Sequence, residues 1–401
     1  MNGLVRHPGA APLAAFAALG AFWGAWSAVL PGVSAAFGVS DAALGAALLC
    51  VGAGALPAML LAGRLTNRLG ARALAPAVAI FGLAAALPAF AGSIAVLAAM
   101  LLLIGAASGG LDVVMNAAAA EVEATHRLRL MHLAHAVFSA SLFAAAVSAG
   151  IGRDAGIGYG PILIASAGVI LALAAIAHAG RPPGRPVSGP TTDRAPAGAA
   201  GMPWPLVGLG GLCALAYLVE NGLELWSALH LERSLGASPT VGGLGPGTLA
   251  LAAVGGRLAG QAVATRAGDG ALLMGAAIAA AAGAAVFALA PSWSAALAGL
   301  ALAGAGISIA SPTIFSLAGR TATPERRGSA VSLVAILGYL GFLTGPALLG
   351  AVSSLFGLRT AILAIAGCAL LLAFLVPLLF ARLGAGRPSR GSLGRPGGRP
   401  V

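Results

Sequence analysis

The sequence predicts an all-α membrane protein of twelve transmembrane helices, arranged as two six-helix pseudo-symmetric halves. Three observations predict it. Apolar runs of about 20 residues with no charge on any face recur along the chain, which is what a membrane span requires. Eighteen of the 22 basic residues flank those runs on one side and three on the other, the kind of asymmetry that sets topology. Short motifs also repeat at matching places in the two halves.

Composition fixes the class. The 401 residues are 59% hydrophobic and 8% charged, with a mean hydropathy of +0.97, whereas a soluble domain carries about a quarter charged residues. All 22 basic residues are Arg. The net charge of +11 is spread over short loops and does not gather on one face with interleaved aromatics, so it reads as membrane topology and nucleic acid is not an expected partner. Cys50, Cys213 and Cys368 lie inside apolar runs and have no metal-ligand spacing; they read as buried small hydrophobes, and neither a metal nor a cofactor is expected. The first apolar run is too long for a signal-peptide core and is read as a retained span.

The N-terminal half (1–180) holds runs at about 11–32, 42–63, 73–91, 95–118, 131–152 and 158–179. A Pro-, Gly- and Arg-rich segment, 181–203, interrupts the pattern and reads as a flexible cytoplasmic linker. The C-terminal half (204–382) holds runs at about 204–229, 240–262, 270–290, 294–316, 328–352 and 357–381. The tail, 383–401, is too rich in Gly, Pro and Arg to pack and reads as disordered. Arg6, Arg64, Arg68, Arg72, Arg127, Arg129, Arg266, Arg320, Arg326, Arg327, the linker arginines and the tail arginines share one side. Arg153, Arg233 and Arg359 lie on the other, and Arg257 lies inside span eight. Both termini are therefore expected in the cytoplasm of a bacterium, with the chain in the cytoplasmic (inner) membrane, and each half must cross an even number of times.

The internal repeat is in register with this topology. RLTNRLGAR after span two is similar to VATRAGDG after span eight, aligning Arg68 and Gly70 with Arg266 and Gly268. LIGAASGGLDVV in span four is similar to LAGAGISIASPT in span ten, aligning Gly105 with Gly304 and Asp112 with Ser311. Two six-helix halves in parallel repeat place a solute site near the midplane between them.

These residues carry a resemblance to the major facilitator superfamily over nearly the whole chain. GRLTNRLGAR, with Gly63, Asn67, Arg68, Gly70 and Arg72, resembles the family's gating motif in the loop between spans two and three. Asn67 stands where the family usually has Asp, which implies a neutral, hydrogen-bonding gate in place of a charged one. The span-five motif of drug/proton antiporters is absent from HLAHAVFSASLFAAAVSAG. A finer resemblance is to the branch that includes the fucose/proton symporter and its bacterial relatives. It rests on LDVVMN (Asp112, Asn116), His135, ENGLELWSA (Glu220 to Ala228) and GYLGFLTGP (Gly338 to Pro346). The resemblance implies a monomeric secondary transporter of a small molecule, proton-coupled, for a sugar or another small polar metabolite.

An ionised carboxylate in hydrocarbon costs several kcal/mol, so acids inside spans mark a cavity, a partner or a proton path. Of the 11 acids, three lie well inside spans: Asp112, Glu220 and Glu224. Asp112 shares a helix face with Asn116, one turn on, and His135 lies at similar depth in span five. Asp112 and His135 read either as a proton-coupling pair or as a structural contact. Glu220 and Glu224 share a face of span seven beside Asn221 and Trp226, and two acids so close do not both ionise in a dry site. They read as proton-relaying and solute-binding groups, with an outer-interface position as the alternative for Glu224. Arg257 reads as an anion ligand or as the partner of a buried acid. Trp23 and Trp26 read as a platform for a solute ring or as interface packing. Gly105, Gly109, Gly110, Gly338, Gly345 and Pro346 read as scaffold that permits close packing and bending.

With no Lys there is no phosphate-binding loop, so an ATP-driven pump is not expected. Two alternatives remain beside solute transport coupled to protons: export of hydrophobic or toxic compounds, and a membrane-embedded enzyme or non-transporting sensor. The short loops leave little room for an enzyme or a sensor.

Overall fold

In the computed structural model, residues 7–127, 129–180, 204–264, 266–323 and 326–385 are described. The expected linker (181–203) and nearly all of the expected disordered tail (386–401) lie outside the described residues.

Every regular element among the described residues is helical. The first half comprises α1 (Ala10–Phe37), α2 (Asp41–Leu69), α3 (Leu74–Ala86, continued by a 3-10 turn to Phe90), α4 (Ile94–His126), α5 (Leu130–Asp154) and α6 (Tyr159–Ala179). The second comprises α7 (Trp204–Leu235), α8 (Pro239–Ala264), α9 (Asp269–Leu289), α10a (Trp293–Ile307), α10b (Ala310–Thr321), α11 (Arg327–Phe356) and α12 (Leu358–Ala385). Ten of these stretches are long and apolar enough to cross a membrane by themselves. The other two crossings are α3, which is short, and α8, which is diluted by glycines and Arg257.

Starts and stops follow local chemistry. Ser40, Ser93 and Ser292 cap α2, α4 and α10a by accepting the backbone N–H three residues on. Several helices outrun their apolar runs, α4 by two turns to His126 and α7 to Leu235, because a helix keeps its hydrogen bonds where hydrocarbon gives way to water. Span ten is built of two helices in series. Pro312 cannot donate to the Ser308 carbonyl, and the chain there makes a single 3-10 step, from Ile309 N–H to Gly306 O at 3.2 Å, before α10b begins.

Packing repeats with a shift of six helices. In the first half α1 packs on α5 and α6, α2 on α4, and α3 on α4 and α6. In the second α7 packs on α11 and α12, α8 on α10, and α9 on α10 and α12. The paired glycines of the repeat do matching work. A side chain on Gly105 of α4 would strike the Val51 carbonyl of α2, and one on Gly304 of α10a would come within 3.0 Å of the Leu249 carbonyl of α8. The other alignment fails in backbone detail: Gly70 ends α2 at φ 55, ψ −142, a conformation open to glycine, whereas Gly268 caps α9 in ordinary extended geometry. Of the scaffold glycines, Gly110 has only Ala62 nearby, at 3.9 Å, so it serves no close approach.

The halves meet along two seams, α2 with α11 and α5 with α8, with α1 touching α7 and α8 between them. Large side chains such as Leu83, Phe90, Leu289, Leu355 and Phe374 are exposed, a surface suited to hydrocarbon. Below, the end that carries the 2–3 and 8–9 loops is called the basic end and the opposite one the far end.

Candidate functional site

A cavity of about 260 Å³ lies between the halves. Leu19 and Trp23 of α1, Val51, Ala55 and Met59 of α2, Ser108, Gly109 and Asp112 of α4, and Phe138 of α5 line it from one half. Tyr217, Glu220, Asn221 and Glu224 of α7 with Tyr339 and Phe342 of α11 line it from the other. Helical period explains the set: 217, 220, 221 and 224 share one face of α7, as 108, 109 and 112 share one face of α4.

The three acids inside spans therefore border a single space. Asp112 accepts from the Asn116 amide at 3.1 Å through Oδ1 and from the Tyr339 hydroxyl at 3.5 Å through Oδ2. The Tyr339 contact crosses from one half to the other. Glu220 Oε1 is met by the Arg257 guanidinium at 3.3 Å, so of the two sequence readings for Arg257 the structure places it with an acid, which is half-buried at the cavity. Glu224 borders the cavity and does not sit at the outer interface. Tyr217 and Tyr339, 5.9 Å apart between ring centroids, and Phe342, 6.2 Å from Tyr339, form an aromatic wall.

Other expected residues are placed elsewhere. His135 does not contact Asp112: its ring is edge-on to Phe16 at 5.0 Å, one turn toward the basic end from Phe138, so the two hairpin helices α4 and α5 present these groups in different directions. Trp26 is fully buried and stacked on Phe22 at 6.1 Å, and Trp226 is 1% exposed; neither borders the cavity. Trp23 does, while Trp26, three residues on and about 60° around α1, does not. Among the gating residues, Gly63 and Arg68 lie in the last turns of α2, Arg72 in the following 3-10 turn, and Arg266 just beyond α8 with its guanidinium 3.5 Å from the Ala262 carbonyl. The side chain of Asn67 lies outside the described residues.

At the far end the halves are tied by charge. Arg153 of α5 forms a two-pronged pair with Glu232 of α7, at 2.5 and 2.8 Å, and also donates to the Ala28 carbonyl at 2.9 Å. Arg233 of α7 donates to Asp41 of α2 at 2.7 Å and to Ser34 of α1 at 2.5 Å, while Ser353 of α11 donates to the second Asp41 oxygen at 2.6 Å. Thr240 of α8 donates to Asp154 of α5 at 2.6 Å. Glycines make room: a side chain on Gly242 would collide with Glu232, and one on Gly150 or Gly243 would come within 2.6 Å of a backbone carbonyl across the α5–α8 seam. The Tyr339 contact is at mid-depth; these other polar ties between the halves all gather at the far end.

Sequence reasoning did not find the far-end residues. Arg153 and Arg233 counted there only as topology markers, and their partners lie 79 and 192 positions away. Tyr217 and Tyr339 were findable. The chain has three Tyr; Tyr159 is at the edge of a run, and the other two stand deep inside apolar runs, where a hydroxyl needs a polar partner.

Comparison with known proteins accords with this architecture. The sequence model of the Major Facilitator Superfamily matches residues 209–399. An uncharacterized MFS-type transporter of Yersinia pestis is 34% identical over 89% of this chain and 91% of its own length. Membrane protein MosC of Rhizobium meliloti is 29% identical over 91% of this chain and 88% of its own. Among solved structures, a point mutant of the nucleoside transporter NupG superposes with a TM-score of 0.81 at 14% identity, covering 93% of this chain and all of that one. A bacterial homolog of the human lysosomal transporter Spinster, inward-facing and occupied, gives 0.73 at 16% identity over 95% and 98%. At these identities the structures show the fold. The Yersinia relative shows the family: the chain belongs to the major facilitator superfamily and is a multi-pass membrane transporter of that type.

Proposed function

We propose that this transporter is a secondary active one, moving a small polar solute across the bacterial cytoplasmic membrane by alternating access and driven by protons. The observation that carries the reading is convergence: all three acids inside spans border one cavity between two halves that are tied at one end. With the basic end in the cytoplasm, as the arginine asymmetry requires, the far-end ties close the outer side and the cavity faces inward. Asp112, Glu220 and Glu224 hold the proton, and a carboxyl that loses its charge no longer restrains Tyr339 or Arg257, which links proton binding to relative motion of the helices.

His135 is exposed on α5 on the path toward the basic end, which suits a proton-conducting role better than a direct pair with Asp112. Trp23 and Asn221 serve the solute. Asn116 holds Asp112 in place, and the Asn67 motif gates the basic end.

The test uses the purified protein in proteoliposomes and the solute that raises its melting temperature most in a thermal-shift screen of sugars, nucleosides, amines and organic acids. An imposed pH gradient is expected to drive accumulation. Asp112→Asn and Glu220→Gln are each expected to lower that accumulation at least tenfold while leaving exchange of labelled for unlabelled solute measurable. Uptake indifferent to the gradient and to both substitutions leaves a uniporter and removes proton coupling.

A further inference from the structure

The cavity is short of positive charge. Of its three carboxyl groups, only Glu220 has a fixed cation among the described residues, Arg257. Asp112 is met by two neutral donors, the Asn116 amide and the Tyr339 hydroxyl. Tyr217 and Tyr339 are the titratable groups that face Asp112; Glu224 is faced by one neutral donor, the Ser27 hydroxyl, and its charged neighbour is the like-charged Glu220. A second observation is independent of the acids: Asn221, 7% exposed and bordering the cavity, has an amide oxygen with no hydrogen-bond partner among the described residues. Acceptors that line a half-enclosed cavity without a matching cation are best satisfied by a donor-rich ligand. A neutral polyol brings an acceptor with each donor. An ammonium brings three donors and no acceptor, and the faces of Trp23, Phe138 and Phe342 favour a cation over their rings.

We infer that the solute is an organic cation, an amine on a small aromatic or hydroxylated body, whose ammonium is taken by Asp112, Glu224 and the Asn221 oxygen. The inference rests on the transport reading above and narrows its solute class. It also sets the sense of coupling. The ammonium and the proton occupy the same carboxylate oxygens, so a carboxyl releases its proton as the amine binds, and the two move in exchange across the membrane.

The test is binding of matched pairs to the purified full-length protein by isothermal titration at pH 7.5, tyramine against tyrosol and glucosamine against glucose. In at least one pair the amine is expected to bind at least tenfold more tightly than its neutral partner, with protons released on binding and seen as a buffer-dependent heat. Asp112→Asn and Glu224→Gln are each expected to weaken the amine at least tenfold; Asp112→Glu and Glu224→Asp, which keep the charge, retain the preference if the neutral variants fold poorly. Equal affinity within both pairs, no binding of either amine, or unchanged amine binding in the folded neutral variants overturns the inference. Amine selectivity without any effect of a pH gradient on uptake keeps the solute class and removes proton coupling; gradient-driven uptake of glucose or tyrosol does the reverse.

Discussion

Glu232→Leu is expected to open the far end. Arg153 and Glu232 are 11% and 13% exposed and bind each other through two hydrogen bonds, so removing the carboxylate leaves a guanidinium in a nearly dry seam. Breaking such a pair from one side costs about 3 kcal/mol or more. That cost falls on the closed arrangement alone, because water reaches Arg153 once α5 and α7 part. A shift of about 3 kcal/mol moves the open-to-closed ratio by about two orders of magnitude. Spin labels at the ends of α5 and α8 read the change as a longer distance distribution. The double substitution Arg153→Leu with Glu232→Leu is the informative control: with no charge left unpaired, it is expected to return the distribution most of the way toward the original. If the single and double variants behave alike, the ion pair is not what holds this end shut.

Gly105→Val is expected to cost the protein its fold. The new side chain would collide with the Val51 carbonyl, a backbone atom that cannot rotate away, and α2 and α4 would have to separate. Overpacking of this kind costs about 3 kcal/mol or more when backbone must move. The same two helices carry Val51, Ala55, Gly109 and Asp112 into the cavity, so the site is lost with the contact. Gly275→Ala, in α9 with no atom within 4 Å of the added carbon, is expected to have the opposite sign and raise the melting temperature, since Ala exceeds Gly in helix stability by about 0.5–1 kcal/mol. Thermal unfolding in detergent, followed by the fraction that elutes as a single species, checks both. A folded Gly105→Val protein of ordinary stability would show that the α2–α4 approach is not required.

The amino-acid sequence by itself determined the number of crossings, the asymmetry of their flanking arginines, the pairing of the two halves and the short roster of acids inside spans. Those properties are local or additive. Twenty apolar residues form a helix in hydrocarbon whatever surrounds them, an arginine is costly to pull through, and a repeat in the chain is a repeat in space once each half packs by the same rules. Asp112, Glu220 and Glu224 stood out because hydrocarbon tolerates so few charges. The tertiary structure alone decided what each of them meets: Tyr339 for Asp112, Arg257 for Glu220, and no fixed cation for Glu224. It alone turned Trp23 to the cavity and buried Trp26 and Trp226, set His135 against Phe16, and joined Arg153 to Glu232 and Arg233 to Asp41. Each of those outcomes depends on which face of a helix meets its neighbour, and a rotation of one residue, about 100°, exchanges one set of partners for another. Hydropathy averaged over a span carries no information about that angle; the packing of glycines such as Gly105 and Gly243 fixes it.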